Sequence, residues 1–132
     1  MAKVKVLHTA DWHIGKHLHK YSLEEDHRIF FDWLYDQIKA RQIDLLLVSG
    51  DIFDTAFPSN ASLGMYYRFL TRMLDQKCRI ILTGGNHDSP GVLNAPRDIL
   101  SHLKINVVGD VSRFPEASYF PFPEWKIALA AV

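Results

Sequence analysis

Three short polar clusters carry the residues whose types and spacing can do chemistry: Asp11-Trp12-His13, Gly50-Asp51-Ile52-Phe53-Asp54 and Gly85-Asn86-His87-Asp88. Carboxylates, an amide oxygen and imidazoles gathered at one place repel one another and lose solvation unless a cation sits among them. Oxygen donors mixed with imidazole suit Mn2+, Fe2+ or Zn2+ better than Ca2+, and the lack of thiolates in the clusters argues against a structural zinc. Singly, each cluster also reads as ordinary turn chemistry, because Gly and Asn tolerate positive φ and Asp-x-His arises often by chance. The metal reading rests on all three occurring in this order, each directly after a predicted strand.

Those strands follow from the apolar pattern. Val4, Val6 and Leu7 form a run that empties into a loop at His8-Thr9-Ala10-Asp11, Leu45–Ser49 is stopped by Gly50-Asp51, and the β-branched run Arg79–Thr83 is stopped by Gly84-Gly85. Between the first two, Ser22 and Glu25 have capping-box spacing, and Phe30, Trp33, Leu34, Gln37, Ile38 and Arg41 give one apolar stripe on a helix of about 16 to 20 residues. Between the second and third, Pro58-Ser59-Asn60 opens a helix with Leu63, Tyr66, Tyr67, Leu70 and Leu74 at helical spacing. The β-α-β-α-β pattern predicts parallel pairing through right-handed crossovers, both sheet faces covered, and a ligand site at the carboxyl ends of the strands. Beyond Asn86 the pattern predicts a short helix over 96–103 and strands over 105–108, 117–120 and 126–132. The last is still apolar where the sequence stops, which gives the expectation that these residues are the front of a longer protein.

The 132 residues carry 15 Lys plus Arg against 15 Asp plus Glu, a net charge of zero that excludes purely electrostatic nucleic-acid binding. With 48% hydrophobic and 23% charged residues the chain falls among globular domains, and its length suits one domain or part of one. Cys78, the single cysteine, reads as a buried, inert thiol of a reducing compartment. The start alternates Lys with Val and has no secretory apolar stretch, and no window approaches a membrane span, so the expected location is cytoplasmic.

Asp-x-His, Gly-Asp-x-x-Asp and Gly-Asn-His-Asp in this order resemble the calcineurin-type metallophosphoesterases. The flanking residues, Leu7-His8-Thr9-Ala10-Asp11-Trp12-His13-Ile14-Gly15-Lys16, Val48-Ser49-Gly50-Asp51-Ile52-Phe53-Asp54-Thr55 and Thr83-Gly84-Gly85-Asn86-His87-Asp88-Ser89, are similar to the SbcD-type group of double-strand-break-repair nucleases over essentially the whole chain. The resemblance implies an α/β layered fold, a parallel-rich sheet flanked by helices, of which 1–132 are the N-terminal part of the nuclease domain, with the capping and ATPase-docking regions absent. It implies two divalent cations, Mn2+ foremost. Asp11, His13 and Asp51 would hold one, and Asp51 would bridge to a second that also takes Asn86. His87 would act on the departing oxygen as a general acid, with Asp54 orienting it. In archaeal and eukaryotic members the position of Asp54 is usually a histidine, a departure that bears on proton handling.

The implied function is a DNA exonuclease and endonuclease working with an SbcC-type ATPase in DNA repair, recombination and replication. The family completes both metal sites with a later His and a later His-x-His pair, yet of the seven histidines only His102 follows the third cluster. His102 falls in a predicted helix and reads as a surface residue. The expectation is therefore one weak metal site and poor cleavage by this chain alone. Lys16, His17 and Lys20, with His19 and Arg28 nearby, are candidates to meet DNA phosphates or are merely solvated. Met65, Tyr66, Phe69, Leu70 and Met73 spread over more than one stripe, which fits core packing or a homodimer through helices around 59–76 and 96–103. Two other functions compete: a general phosphoesterase acting on small phosphodiesters or phosphoproteins, and a non-catalytic dimerising or scaffold module.

Overall fold

The computed structural model describes residues 3–110, 119–122 and 127–130, the last two segments as strand backbone only. Four parallel strands, β1 (Val6–Ala10), β4 (Leu45–Ser49), β5 (Arg79–Thr83) and β6 (Ile105–Val108), form one sheet in that spatial order. Their register places Leu7, Leu46, Ile80 and Ile105 in one row, and Ala10, Ser49, Thr83 and Val108 in the last row. All four strands therefore end flush, and every loop that follows leaves the same edge of the sheet. An antiparallel hairpin, β2 (His17–Leu18) with β3 (Tyr21–Ser22), follows β1, and β7 (Tyr119–Phe122) pairs antiparallel with β8 (Ile127–Ala130). The predicted strands over 117–120 and 126–132 extend into positions outside the described residues.

Two long helices, α1 (Glu24–Arg41) and α2 (Asn60–Met73), and two short ones, α3 (Pro90–Asn94) and α4 (Arg97–His102), connect the strands. Each strand adds to the outside of the one before it, so right-handed crossovers all bring their helices to the same face. The packing agrees. Phe31, Leu34 and Ile38 of α1, Tyr66, Phe69, Leu70 and Met73 of α2, Leu93 and Leu100 share one core with Leu46, Val48, Ile80, Leu82, Ile105 and Val107. Among the described residues the helices lie on this one face. The opposite face carries Leu45, Ile81 and Val108, which are also buried.

Several local expectations change for identifiable reasons. β1 continues through His8, Thr9 and Ala10, because backbone pairing with β4 carries the strand past its apolar side chains. The capping box does not form: α1 starts after Leu23, and the Ser22 hydroxyl instead accepts from the Glu24 amide at 3.2 Å. Its buried stripe is Phe31, Leu34 and Ile38, with Trp33 left 54% exposed, since Phe31 reaches Trp12 and Phe69 at ring-centroid distances of 4.9 Å. On α2, which opens where expected and is capped by Ser59, Met65, Phe69 and Met73 are buried alongside Tyr66 and Leu70, while Leu74 at its end is exposed. The Met and aromatic residues that suggested a dimer surface are spent on the chain's own core.

Cys78 is buried, and burial pushes its thiol up to about 12, in keeping with an inert residue. Burial likewise raises Tyr66, whose hydroxyl has no hydrogen-bond partner among the described residues. No described helix is long and apolar enough to cross a membrane.

Candidate metal centre

The parallel ladder does not stop where the strands do. The Asp11 amide donates to the Gly50 carbonyl at 3.1 Å, His13 to Asp51 at 2.9 Å, Ile14 to Ile52 at 2.9 Å and Asp54 back to Ile14 at 3.1 Å. The first and second clusters are thereby zipped together beyond the sheet edge. Asp11, His13 and Asp51 all have positive φ, at 55°, 49° and 48°. Non-glycine residues in this region cost free energy that the surrounding structure has to over-determine, and they concentrate at functional sites. Here the extended ladder supplies that constraint and turns three side chains toward one another.

The third cluster is fastened by a residue whose role the sequence did not disclose. Asp88 is 6% exposed, and its carboxylate accepts from the Ile52 amide at 3.0 Å, the Phe53 amide at 2.8 Å and the Gly85 amide at 2.8 Å. One buried carboxylate thus ties the loop after β4 to the loop after β5. Gly85 then lies so close to Asp51 that a Cβ would collide with the Asp51 carboxylate and amide. Only glycine allows that approach. The His87 amide completes the junction by donating to Asp51 Oδ1 at 2.9 Å.

Ligand atoms of Asp11, His13 and Asp51 all lie within 4.8 Å of one another, and so do those of His13, Asp54 and His87. His13 Nε2 is 3.8 Å from Asp51 Oδ2, while its Nδ1 is 3.2 Å from Asp54 Oδ1. A carboxylate only accepts, so the Nδ1 contact needs the hydrogen on Nδ1, and in the neutral ring that leaves the Nε2 lone pair on the side of Asp51. Metal-binding histidines are commonly held in this way, with the far nitrogen donating to a carboxylate. The expected Asp54 to His87 orientation takes another form. The Asp54 side chain holds His13, and His87 Nδ1 donates instead to the Asp54 main-chain carbonyl at 3.0 Å.

The Asn86 amide lies 3.2 Å from both Asp51 oxygens. Turned one way its nitrogen donates to them; turned the other, three oxygens face each other at a spacing that a cation between them would relieve. The donor set, oxygen plus imidazole without thiolate, fits a hard or borderline divalent cation. The structure therefore brings together all six expected site residues, Asp11, His13, Asp51, Asp54, Asn86 and His87.

It does not bring in the others. His17 lies on the exposed hairpin with Nδ1 against the Gly15 carbonyl at 3.0 Å, and Lys16 and Lys20 are exposed beside it. His102 ends α4 with Nδ1 against the Asp98 carbonyl at 2.8 Å, on a helix that packs on β6.

Comparison with known proteins agrees with this geometry. The profile of the family described as calcineurin-like phosphoesterase matches residues 4–126. The chain is 36% identical over 113 residues to the SbcD subunit of the nuclease SbcCD from Escherichia coli (strain K12), and 41% identical over 114 residues to its counterpart from Rhodobacter capsulatus. The matches cover 86% and 85% of this chain but 28% of each relative, so the chain spans under a third of their length. With the family profile matched along nearly all of it and the three clusters converging at one sheet edge, the chain belongs to the calcineurin-like phosphoesterases.

Proposed function

We propose that the chain is the metal-binding front of a DNA nuclease that hydrolyses phosphodiester bonds, working with an SbcC-type ATPase in DNA repair and recombination. The observation that carries the reading is the convergence of Asp11, His13 and Asp51 within 4.8 Å, with His13 oriented by Asp54. Divalent cations bound there, Mn2+ foremost, would lower the pKa of a water and offset charge on the phosphate oxygens. Asp11, His13 and Asp51 would hold one cation, and Asp51 with Asn86 would contribute to a second.

In this reading His87 is the proton donor. Its Nδ1 hydrogen is committed to the Asp54 carbonyl and the residue is exposed, which leaves Nε2 as the nitrogen from which a leaving oxygen would take a proton when the imidazole is charged. The exposed aspect of Asp11, Asn86 and His87 suits a bulky polymer in place of an enclosed small molecule. Lys16, His17 and Lys20 on the hairpin edge are the DNA-phosphate contacts of this reading, and a cytoplasmic location goes with that substrate. A homodimer would have Leu74, Ile99 and Leu103 as the apolar side chains that α2, α4 and their ends leave exposed.

Calorimetric titration of Mn2+ tests the proposal. The expected outcome is one site of modest affinity, lost in Asp51→Asn. An unchanged isotherm in that variant would overturn the metal reading. Cleavage of hairpin DNA against a chromogenic phosphodiester separates a nuclease from a general phosphoesterase, and light scattering showing a monomer at all concentrations would remove the dimer.

A further inference from the structure

The ligand loop after β1 is held on the ladder side by the Asp11 and His13 amides, and something must also hold the residue between them. The Trp12 side chain is 5% exposed, set edge-on against Phe31 and Phe69 at centroid distances of 4.9 and 5.6 Å, with Nε1 donating to Thr9 Oγ1 at 3.0 Å. Its carbonyl, which points away from the ladder, meets a single side chain among the described contacts. His27, in the first turn of α1, places Nε2 2.6 Å from that oxygen and Nδ1 2.9 Å from the Leu23 carbonyl. A carbonyl oxygen only accepts, so each contact needs a ring hydrogen, and a neutral imidazole has one to give. The shorter contact is the one to Trp12.

We propose that His27 is a positioning residue for the metal ligands Asp11 and His13, acting through the hydrogen bond from its Nε2 to the Trp12 carbonyl. The inference rests on the metal reading given above. Positive φ on both sides of Trp12 makes the intervening peptide the pivot of the loop, and a pivot fixed at its carbonyl fixes the directions of the two side chains flanking it. His27 thereby couples the first turn of α1 to the ligands without touching them. A histidine followed by Arg28 and Ile29 on an amphipathic helix gives no sign of this in sequence, because the partner lies 15 residues back and is a backbone atom.

The amide side chains of Gln and Asn separate the two contacts. Gln places its nitrogen near the Nε2 position, whereas Asn reaches only as far as Nδ1. In His27→Asn the Mn2+ dissociation constant is expected to rise about tenfold, as for other groups that orient metal ligands, and in His27→Gln to stay within about threefold of the parent. Hydrogen exchange of the metal-free chain gives the second readout: in the Asn variant the Asp11 and His13 amides should exchange about tenfold faster while Ile81 and Leu82 in β5 hold their rates. A purely structural role would move all four amides together.

Equal affinities for the Asn variant and the parent would overturn the proposal, as would equal losses in Asn and Gln, or acceleration spread evenly over β5. Failure of the metal reading shows itself differently. The parent chain would then bind no Mn2+, or Asp51→Asn would bind as well as the parent, while the exchange rates still decide whether His27 holds the loop.

Discussion

The carboxyl edge of the sheet and its helix-covered face are built on opposite terms. The face is apolar side chains in register, Leu46 beside Ile80 beside Ile105, filled from above by Phe31, Leu34, Phe69 and Met73. At the edge, polar groups are held by main-chain hydrogen bonds, three non-glycine residues sit at positive φ, and one carboxylate is buried. Stability comes from the first region, and the second draws on it to hold ligands in a conformation that they would not adopt alone. Changes confined to the face should therefore move melting, and changes confined to the ligands should move metal affinity.

The largest expected effect is on the face. Phe69→Ala removes a buried ring that meets both Trp12 and Phe31 and should cost about 3 to 5 kcal/mol in denaturant unfolding. Asp88→Ala lies where the two regions meet. It strips three amides of their acceptor, which should cost about 3 kcal/mol and also weaken Mn2+ binding, since Asp51 and Asn86 lose their common tether. A variant that lost stability but kept full affinity would show that the loops hold without it.

A smaller effect concerns Cys78. With its thiol pushed up to about 12 by burial, alkylation near pH 8 should be negligible in the folded chain and rapid in denaturant. The sign follows from linkage: the fold favours the protonated form, so this contribution to stability is intact below the unfolded-state value and declines as pH rises through the folded one. The smallest change is Tyr66→Phe, which removes a buried hydroxyl with no described partner and should leave stability unchanged or raise it by about 1 kcal/mol, read from the denaturation midpoint. A clear loss would mean that the hydroxyl does have a partner.

Much of this arrangement was legible beforehand because it depends on local pattern. β4, β5 and β6 begin and end where their β-branched and aliphatic runs do, and α2 opens at Pro58-Ser59-Asn60 as expected. The convergence of the six candidate residues was legible because polar clusters directly after parallel strands have to share an edge. The rest depends on pairs far apart in the chain. The partner of the Asp54 carboxylate is 41 residues away, and two of the amides held by Asp88 are 35 and 36 residues away. No periodicity encodes such pairs. The hairpin of β2 and β3 escaped notice because its strands are two residues long and wholly exposed, leaving no alternation to read. On α1 and α2 the helices were evident, but which stripe faces inward was settled by aromatic packing around Trp12.

The order of the strands in the sheet has a consequence for synthesis. Because β1, β4, β5 and β6 are neighbours in the order in which they are made, each newly emerged strand finds the previous one already available as an edge, and no strand has to be inserted between two others. The candidate site residues arrive in the same sequence: Asp11 and His13 first, then Asp51 and Asp54, then Asn86 and His87. When Asp88 leaves the ribosome it can close the last loop onto amides that are already in place. A nascent chain can thus build the geometry of the candidate site from one side, as a row that grows.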